Sequence, residues 1–286
     1  MNRLSNYYFT LKDLSLIQIW FRIYYIIKRY FIKVFHTNVD KHYQNIGEKG
    51  KSYALLDNYP IVRRKYYDSN LSNVLRNKLV FLNTEIDFGK KIDWNREDLN
   101  CGTRLWKLNL HYHEFLIELA YAYVDNNDKE YLEYIVDTIR DWDASNPIGL
   151  KEFYKDSWNS YAISMRVISW IKIIHILKGF LDKDTIEYMV SLVIKNVYYL
   201  KNNIEYDILG NHIVKNWNAL YTAGIFLRKG DLKKRANAIF KKHILYQFSK
   251  TGMHEELSPM YAGIVLEDLM EVYAFSEDHR LKEISE

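Results

Sequence analysis

The chain has 286 residues, 48% of them hydrophobic and 27% charged, which is typical of a globular protein with a sizeable core. Its 40 basic and 36 acidic residues leave a net charge of +4, and no basic run interleaved with aromatic residues indicates a nucleic-acid partner. The single cysteine, Cys101, excludes an internal disulfide and fits a reducing compartment. Only 3 prolines and 11 glycines occur, which disfavours many short strands and favours long helices.

The first predicted element is a basic amphipathic helix over residues 12–36. Its apolar stretch contains no run of about 18 uncharged residues that would span a membrane, because it is interrupted by Arg22, Lys28, Arg29 and Lys33. No small-residue cleavage site of a signal peptide follows. The helix either packs against the rest of the domain, which we favour, or makes peripheral contact with a membrane surface. The expected location is the cytoplasm, with membrane association as the alternative.

The remaining elements are predicted to be mostly helical. Residues 37–100 are expected to be less regular, with an irregular or extended segment near residues 60–100, where the alternation over residues 78–94 indicates short extended pieces. No exact repeat supports a TPR- or HEAT-type solenoid, so antiparallel helix pairs are expected. The prediction is an all-α single domain over residues 1–286, with a lead-in over residues 1–100 and an incomplete (α/α) toroid over residues 101–286. The predicted helices of the toroid cover residues 104–124, 129–142, 157–179, 184–202, 212–228, 232–248 and 260–276.

Several polar residues within apolar helices have simple structural interpretations. His111 and His113 are spaced so that their rings point apart on a helix, and no third ligand lies nearby, so no metal site is predicted. Arg166 indicates either a buried ion pair or an anion contact. Adjacent carboxylates in a loop, such as Glu255 and Glu256, are usually solvated, although they could serve as acids of a glycosidase. No phosphate loop or nucleophile elbow is present, and no cofactor is predicted.

One predicted helix opens with the sequence Gly-Asn-His at residues 210–212. Asn211 is either an N-cap only, with Asn216 and Asn218 facing solvent, or part of an anion site. A helix N-terminus presents unpaired N–H groups and the positive end of the dipole, which favours a substrate carboxylate near Asn211 and His212. We expect both roles, cap and anion site.

A second predicted helix begins with Ser258 as N-cap and Pro259 at its first position, which places Tyr261 in the first turn. The positive end of the helix dipole would favour a partly ionised phenol there. A tuned base beside a neutralised carboxylate is the equipment for removing a proton from the neighbouring carbon. The alternative is that Tyr261 is a core tyrosine.

These stretches resemble, in the same order, the N-terminal catalytic region of the heparinase II/III-like polysaccharide lyases. The resemblance covers about residues 1–275 and implies a toroid that acts by β-elimination on an acidic, uronate-containing polysaccharide. It is carried by the segments FLNTEIDFGKKIDW at 81–94, LNLHY at 108–112, Tyr161…Arg166…Trp170, GNH at 210–212 with NALYTAGIF after it, and HEELSPMY at 254–261.

By motif match, the resemblance assigns roles to individual residues. It implies that Asn211 and His212 neutralise the uronate carboxylate, and that Tyr261 serves as general acid, or as both acid and base. It also implies a sugar cleft that is lined by Trp106, Asn109, His111, Tyr112, Trp158, Tyr161, Arg166 and Glu255.

The sequence departs from the family pattern at three points. Lys215 stands where many relatives carry Glu, and Ala262 follows the tyrosine where His is common. Family members continue into a C-terminal β-sandwich, which we expect to be absent from this chain, leaving an exposed hydrophobic surface near its C-terminus. The N-terminal helix resembles the branch linked to capsule or lipopolysaccharide assembly. The alternatives are a non-catalytic glycan-binding or assembly module, and a hydrolase that uses Glu255 or Glu256.

Overall fold

The computed structural model describes residues 14–49, 52–54, 71–96, 104–150, 152–249 and 254–276, and the protein is mostly helical over these ranges. The all-α fold class is confirmed. The helices are α1 Leu16–Val34, α2 His36–Lys49, α3 Leu71–Leu75, α4 Arg104–Tyr112, α5 Phe115–Asn126, α6 Lys129–Ser145, α7 Ser160–Leu177, α8 Lys183–Lys201, α9 Gly210–Phe226, α10 Gly230–Ile239 and α11 Pro259–Phe275.

The predicted extended pieces form a two-stranded antiparallel hairpin of β1 Lys78–Phe81 and β2 Thr84–Asp87. In its register Lys78 lies opposite Asp87, and the two side chains form an ion pair with Nζ 2.9 Å from Oδ2. The hairpin buries Leu79 and Phe81 towards the helices.

Polar residues at the ends of the connecting loops start the next helix. Asp128, Asn159 and Asp182 are the N-caps of α6, α7 and α8, and each side chain accepts a hydrogen bond from a backbone N–H of the first turn. Asn127 ends α5 in the left-handed conformation, with φ of 54°. The chain reverses direction within a few residues between α5 and α6 and between α7 and α8, as antiparallel helix pairs require, while a longer loop joins α6 to α7.

Helices α7 and α9 run in the same direction. Near their starts the ring centroids of Tyr161 and His212 are 4.8 Å apart. One turn further along both helices, Asn216 Nδ2 donates to Ser164 Oγ at 3.1 Å. Since the second contact lies further towards the C-terminus in both helices, α7 and α9 are parallel neighbours.

Helices α9 and α11 are also parallel. Lys215 Nζ lies 2.7 Å from Asp268 Oδ1, and further along α9 the hydroxyls of Tyr221 and Ser276 are 2.8 Å apart. Since α8 and α10 connect these helices as antiparallel partners, α7, α9 and α11 form an inner layer with their N-termini at one end. This is the arrangement of an (α/α) toroid.

The core contains a buried cation that connects four elements. Arg166 donates to His111 O at 2.9 Å, to Ser157 O at 3.0 Å and to Asn196 Oδ1 at 2.7 Å. Its guanidinium carbon lies 3.9 Å from the ring centre of Trp142. The prediction of an ion pair or an anion contact is wrong for Arg166, because its hydrogen-bond partners are carbonyl and amide oxygens.

Helix α7 has the length and hydropathy of a membrane span, but 67% of it is buried inside the protein, as expected of a core helix.

Helix α1 packs through a narrow face. Its Tyr25 and Ile32 are buried, and Gln18 Nε2 donates to Ile208 O at 3.2 Å. Most of its other large apolar side chains are exposed, so the favoured prediction that α1 simply packs against the domain holds for one side only.

Three helix predictions need correction. Residues 36–49 form α2 rather than irregular structure, because Gly47 lets this polar segment approach α8; a Cβ on Gly47 would lie 2.6 Å from Ser191 O. The predicted helix over residues 104–124 is broken at His113, which has φ of 59°. Beyond α10 the chain continues as a π-helical turn, Phe240–Ile244, and a 3-10 turn, Leu245–Gln247, instead of an α-helix to residue 248.

The expected hydrophobic surface near the C-terminus is present on α11 and the loop before it. It consists of exposed apolar side chains, namely Leu257, Met260, Leu266 and Met270, with Tyr273 at its edge. Whether residues 1–286 form one domain without the β-sandwich stays a prediction.

The substitution Arg166→Lys is expected to lower the free energy of unfolding by about 3 kcal/mol, since buried carbonyls lose their donors at about 1–3 kcal/mol each. Urea denaturation measures the loss. The control is Arg140→Lys, because the Arg140 side chain is exposed and lies over the Tyr188 ring at 5.8 Å; its effect should stay within about 0.5 kcal/mol. Equal losses in the two variants would contradict the proposed importance of the guanidinium contacts.

Candidate active site

Helix α9 begins without a side-chain cap. Its N-cap position is Leu209, with φ of 68°, and Gly210 is the first helical residue. Asn211 is therefore the second residue of the helix, and the prediction that it is the N-cap is wrong. Its backbone N–H donates instead to Glu256 Oε1 at 3.4 Å.

Glu256 reaches α9 because residue 210 is glycine. A Cβ at Gly210 would lie 2.2 Å from Glu256 Oε1, and the φ of +54° also favours glycine. A carboxylate at a helix N-terminus is stabilised by the dipole and by the free N–H groups. At the start of α9, where the sequence predicts a substrate carboxylate, a carboxylate of the protein itself contacts the backbone. Glu255, its neighbour, is exposed.

His212 is partly exposed at this end of the toroid. Its side chain is 34% exposed, and its Nδ1 lies 3.1 Å from Glu205 Oε1. Burial lowers the pKa of His212, but the hydrogen bond to Glu205 and its negative charge, with a contribution from Glu256, outweigh burial and hold the pKa above its usual value. Protonation of His212 is therefore more favourable than for a free histidine, and its ring faces Tyr161.

Glu205 is held by Asn216, for which a solvent-facing position was one of the two alternatives from the sequence. Asn216 is fully buried, its Nδ2 donates to Glu205 Oε2 at 3.0 Å, and its Oδ1 accepts from Glu205 N at 2.9 Å. These bonds position the carboxylate that orients His212. Nothing in the sequence motif pointed to Glu205, which precedes the helix in the connecting loop.

Asn218 is also buried rather than exposed. Its Nδ2 donates to Asp268 Oδ1 at 2.7 Å and to Glu271 Oε2 at 2.9 Å. Asp268 also pairs with Lys215. Burial lowers the pKa of Lys215, but the charge of Asp268 reverses this and holds it above the usual value. The basic residue that departs from the family pattern therefore has a buried acidic partner on α11.

A cavity of about 190 Å³ lies between the inner helices α7, α9 and α11. Its polar lining includes Glu114, Tyr161, Lys172 and Lys215. Burial raises the pKa of Tyr161 to about 12. Tyr112 lies beside it, with the two ring centroids 5.9 Å apart. The predicted cleft residues Tyr112 and Tyr161 thus lie together with His212 at the N-terminal end of the inner layer.

Tyr261 lies in the first turn of α11 and is 38% exposed. Ser258 is the N-cap and Pro259 the first helical residue, as predicted, although no side chain caps the helix. Tyr261 precedes the buried residue Asp268 by two turns, so it lies on the side of α11 that faces α9. Because α9 and α11 are parallel, the structure brings Tyr261 to the end at which Asn211 and His212 begin α9.

Four predicted cleft residues lie in the core instead. Trp106, His111, Trp158 and Arg166 are each at most 1% exposed. Each makes hydrogen bonds inside the protein: Trp106 Nε1 donates to Thr84 O at 2.9 Å, His111 Nδ1 accepts from Trp142 Nε1 at 3.1 Å, and Trp158 Nε1 donates to Asn146 O at 2.8 Å. The prediction that these four side chains contact a sugar is therefore wrong, and their role is structural.

The last two predicted cleft residues lie outside this core. Asn109 is half-buried, and its Nδ2 donates to Leu105 O at 2.8 Å within α4. Glu255 has an exposed side chain, and its backbone N donates to Gln247 O at 2.8 Å. Glu256, which the sequence analysis did not place in the cleft, is the glutamate that contacts α9.

The match to a family model agrees with this arrangement of helices. The model described as Heparinase II/III N-terminus matches residues 17–284. The chain belongs to this family. A relative described as heparin-sulfate lyase, from Bacteroides thetaiotaomicron, is 22% identical over 242 residues, which are 82% of this chain and 33% of the relative.

Two solved structures are similar in fold. A mutant of the heparan sulfate lyase HepC from Pedobacter heparinus has a TM-score of 0.63 and 18% identity, covering 88% of this chain and 41% of that chain. A heparinase III has a TM-score of 0.59 and 20% identity, covering 84% of this chain and 36% of that chain. The toroid prediction is confirmed. The chain spans between 33% and 41% of the length of these three relatives.

The raised pKa of His212 is expected to appear as an NMR titration midpoint above about 6.5, the usual value for histidine. Glu205→Gln removes the negative charge while keeping the shape, so the midpoint should fall. Because the folded pKa is raised, the stabilisation by this pair is complete below about pH 6.5 and is lost as the pH rises through the folded pKa. The His212→Gln variant lacks this imidazole, so the NMR signal that disappears in it is assigned to His212.

The control is Glu255→Gln, an identical change at an exposed position, which should leave the midpoint unchanged. A midpoint at or below about 6.5 in the parent protein, or no response to Glu205→Gln, would contradict the assignment.

Proposed function

We propose that this chain is the helical catalytic part of a polysaccharide lyase that cleaves a uronate-containing acidic polysaccharide by β-elimination. Membership of the Heparinase II/III N-terminus family and the names of the relatives support the reaction class. The observation that carries the proposal is the group at the N-terminal end of the inner helices, where His212, Tyr161 and Tyr261 are brought to one end of the toroid.

In this proposal His212 binds the uronate carboxylate. Its side chain is partly exposed, and Glu205 favours its protonated form. Asn211 follows the uncapped start of α9, where backbone N–H groups and the helix dipole attract negative charge. A neutralised carboxylate makes the hydrogen on the adjacent carbon, C5 of the uronate, more acidic.

Tyr261 transfers the proton. A base removes the hydrogen from C5, the electron pair of that bond forms a C4=C5 double bond, and the C4–O bond to the neighbouring sugar breaks. The leaving glycosidic oxygen takes up a proton from the acid. Tyr261 is partly exposed at the start of α11, on the side that faces α9, which suits a group that donates or accepts this proton.

A non-catalytic glycan-binding module is the second candidate. It is favoured by Glu256, whose carboxylate contacts the Asn211 N–H where a substrate carboxylate would bind. Lys215, paired with Asp268 inside the protein, also differs from the glutamate of many relatives. The hydrolase alternative loses support because Glu255 faces solvent and Glu256 is bound to the start of α9.

We also propose that the exposed apolar face of α11 contacts a further domain of the kind that makes the relatives longer. A substrate in capsule or lipopolysaccharide metabolism is supported by the resemblance of the N-terminal helix to that branch of the family.

Tyr261→Phe should lower kcat about 10²–10⁴-fold, because elimination needs the phenolic oxygen for proton transfer. Stability should change by no more than about 1 kcal/mol. The assay is the near-ultraviolet absorbance of the unsaturated uronate formed from heparan sulfate oligosaccharides. Tyr273→Phe is the matched control, since Tyr273 lies on the same helix with 37% exposure against 38% for Tyr261. Retained activity in Tyr261→Phe would exclude the residue from the mechanism.

Asn211→Asp should weaken the binding of acidic oligosaccharides more than Asn211→Ala does, because it adds a negative charge beside Glu256 and opposite the substrate carboxylate. Isothermal titration calorimetry at low salt measures the difference, which should shrink as salt screens the charges. A neutral oligosaccharide is the control ligand and should not distinguish the two variants. Equal binding of the acidic ligand by both variants would rule out carboxylate recognition at this position.

A further inference from the structure

Helix α1 exposes a continuous apolar face. Nine of its 19 residues are large apolar side chains that are more than half exposed. Six of these suffice to define the face: Trp20, Ile23, Ile26, Ile27, Tyr30 and Phe31. At about 100° per residue they cover one side of the helix, opposite the buried residues Tyr25 and Ile32. The apolar face therefore points away from the body of the protein.

The flanks of this face are positively charged. Arg22 and Lys33 lie on one flank and Lys28 lies on the other, and α1 contains no acidic residue. Arg22 Nε donates to Asp207 O at 3.4 Å and Lys28 Nζ to Asn202 O at 2.5 Å, so both side chains lie along the edge where α1 meets the domain. Long basic side chains in such a position bury their stems in apolar surroundings and keep their charge in a polar layer.

A second basic group continues the surface beyond the start of α1. A groove of about 600 Å³ is lined by Ile17 and Phe21 of α1 and by Arg235, Lys241, Lys242 and Tyr246 of the segment that follows α9. Lys241 and Lys242 are exposed, and Tyr246 is 79% exposed. The groove thus has apolar walls and cationic edges.

We propose that α1 and the basic groove bind the surface of an anionic lipid bilayer, with α1 lying in the membrane plane. An interfacial helix combines a wide apolar face containing aromatic residues with basic flanks. Anionic headgroups supply negative charge opposite the basic side chains of Arg22, Lys33, Lys241 and Lys242. A protein partner would need an acidic rim around an apolar groove that matches this surface. A bilayer offers an apolar interior for the apolar face of α1 and, just above it, anionic headgroups for the basic flanks.

The contacts of α1 place the bilayer near one end of the toroid. The helix packs on the loop between α8 and α9 through Gln18, whose partner is Ile208 O, and through Tyr25, whose hydroxyl donates to Ile204 O. The same loop carries Glu205, the partner of His212. The membrane-bound protein would therefore hold the start of α9 close to the lipid surface.

Co-sedimentation with vesicles tests the proposal. The protein should partition into phosphatidylcholine vesicles that contain phosphatidylglycerol, and much less into pure phosphatidylcholine vesicles. Ile26→Gln with Tyr30→Gln should reduce partitioning on the order of 100-fold, from the loss of two buried apolar side chains. Lys241→Glu with Lys242→Glu should reduce it at least about tenfold. All four positions are exposed, and circular dichroism checks that the variants are folded.

The matched control is Leu266→Gln with Met270→Gln, two exposed apolar positions on α11. This variant should bind vesicles like the parent. Absence of binding to anionic vesicles, or equal binding by the α1 variant and the parent, would overturn the proposal. Light scattering tests whether a second copy of the chain covers the face instead. If the parent is a dimer that does not bind vesicles, and the α1 variant is a monomer, the face belongs to a second copy and the membrane proposal is overturned. The lyase assay is independent of these results.

Discussion

Buried polar residues between α7, α9 and α11 must all find partners, and this constraint sets the register of the inner layer. A buried charge is tolerated only when it is paired and hydrogen-bonded. Lys215 can be buried because Asp268 lies opposite it, and Asn216 because Glu205 and Ser164 receive its amide hydrogens. A shift of one helix by a turn would leave several of these groups unsatisfied. The register in turn brings the N-termini of the inner helices to the same end.

The long helices could be predicted from sequence because their apolar periodicity and N-cap residues agree. Asp182 followed by the apolar pattern of α8 is such a case. The boundaries that failed depend on tertiary contacts. Helix α2 is polar and is stabilised by packing against α8 at Gly47, and the break at His113 lets its ring accept a hydrogen bond from Trp170 Nε1 at 3.0 Å. Neither contact has a local signature.

Part of the candidate site could also be selected from the sequence, because local signals mark helix starts but not tertiary contacts. Its helix starts carry recognisable residues, so Asn211, His212 and Tyr261 could be selected from the sequence. Trp106, Trp158 and Arg166 could not be placed correctly, since a tryptophan or arginine in an apolar helix suits a sugar cleft and a hydrogen-bonded core equally well. Glu205 and Glu256 come from loops, where only the folded chain brings a carboxylate to a given helix end.

The exposed apolar faces of α1 and α11 differ in charge, and this difference supports a different proposed role for each. Helix α1 has basic flanks and contains no acidic residue, which suits an anionic lipid surface. Helix α11 carries Glu267, Asp268 and Glu271 and no basic residue. Asp268 and Glu271 face inward and pair with Lys215 and Lys172, so Glu267 is the acidic residue that α11 exposes. Without a basic flank on α11, its apolar face gains no attraction to anionic headgroups, while a protein domain could cover it. Apolar area alone would make the faces equivalent; the basic flanks are the reason we propose α1, and not α11, as the membrane-binding surface, with α11 proposed to contact a further domain.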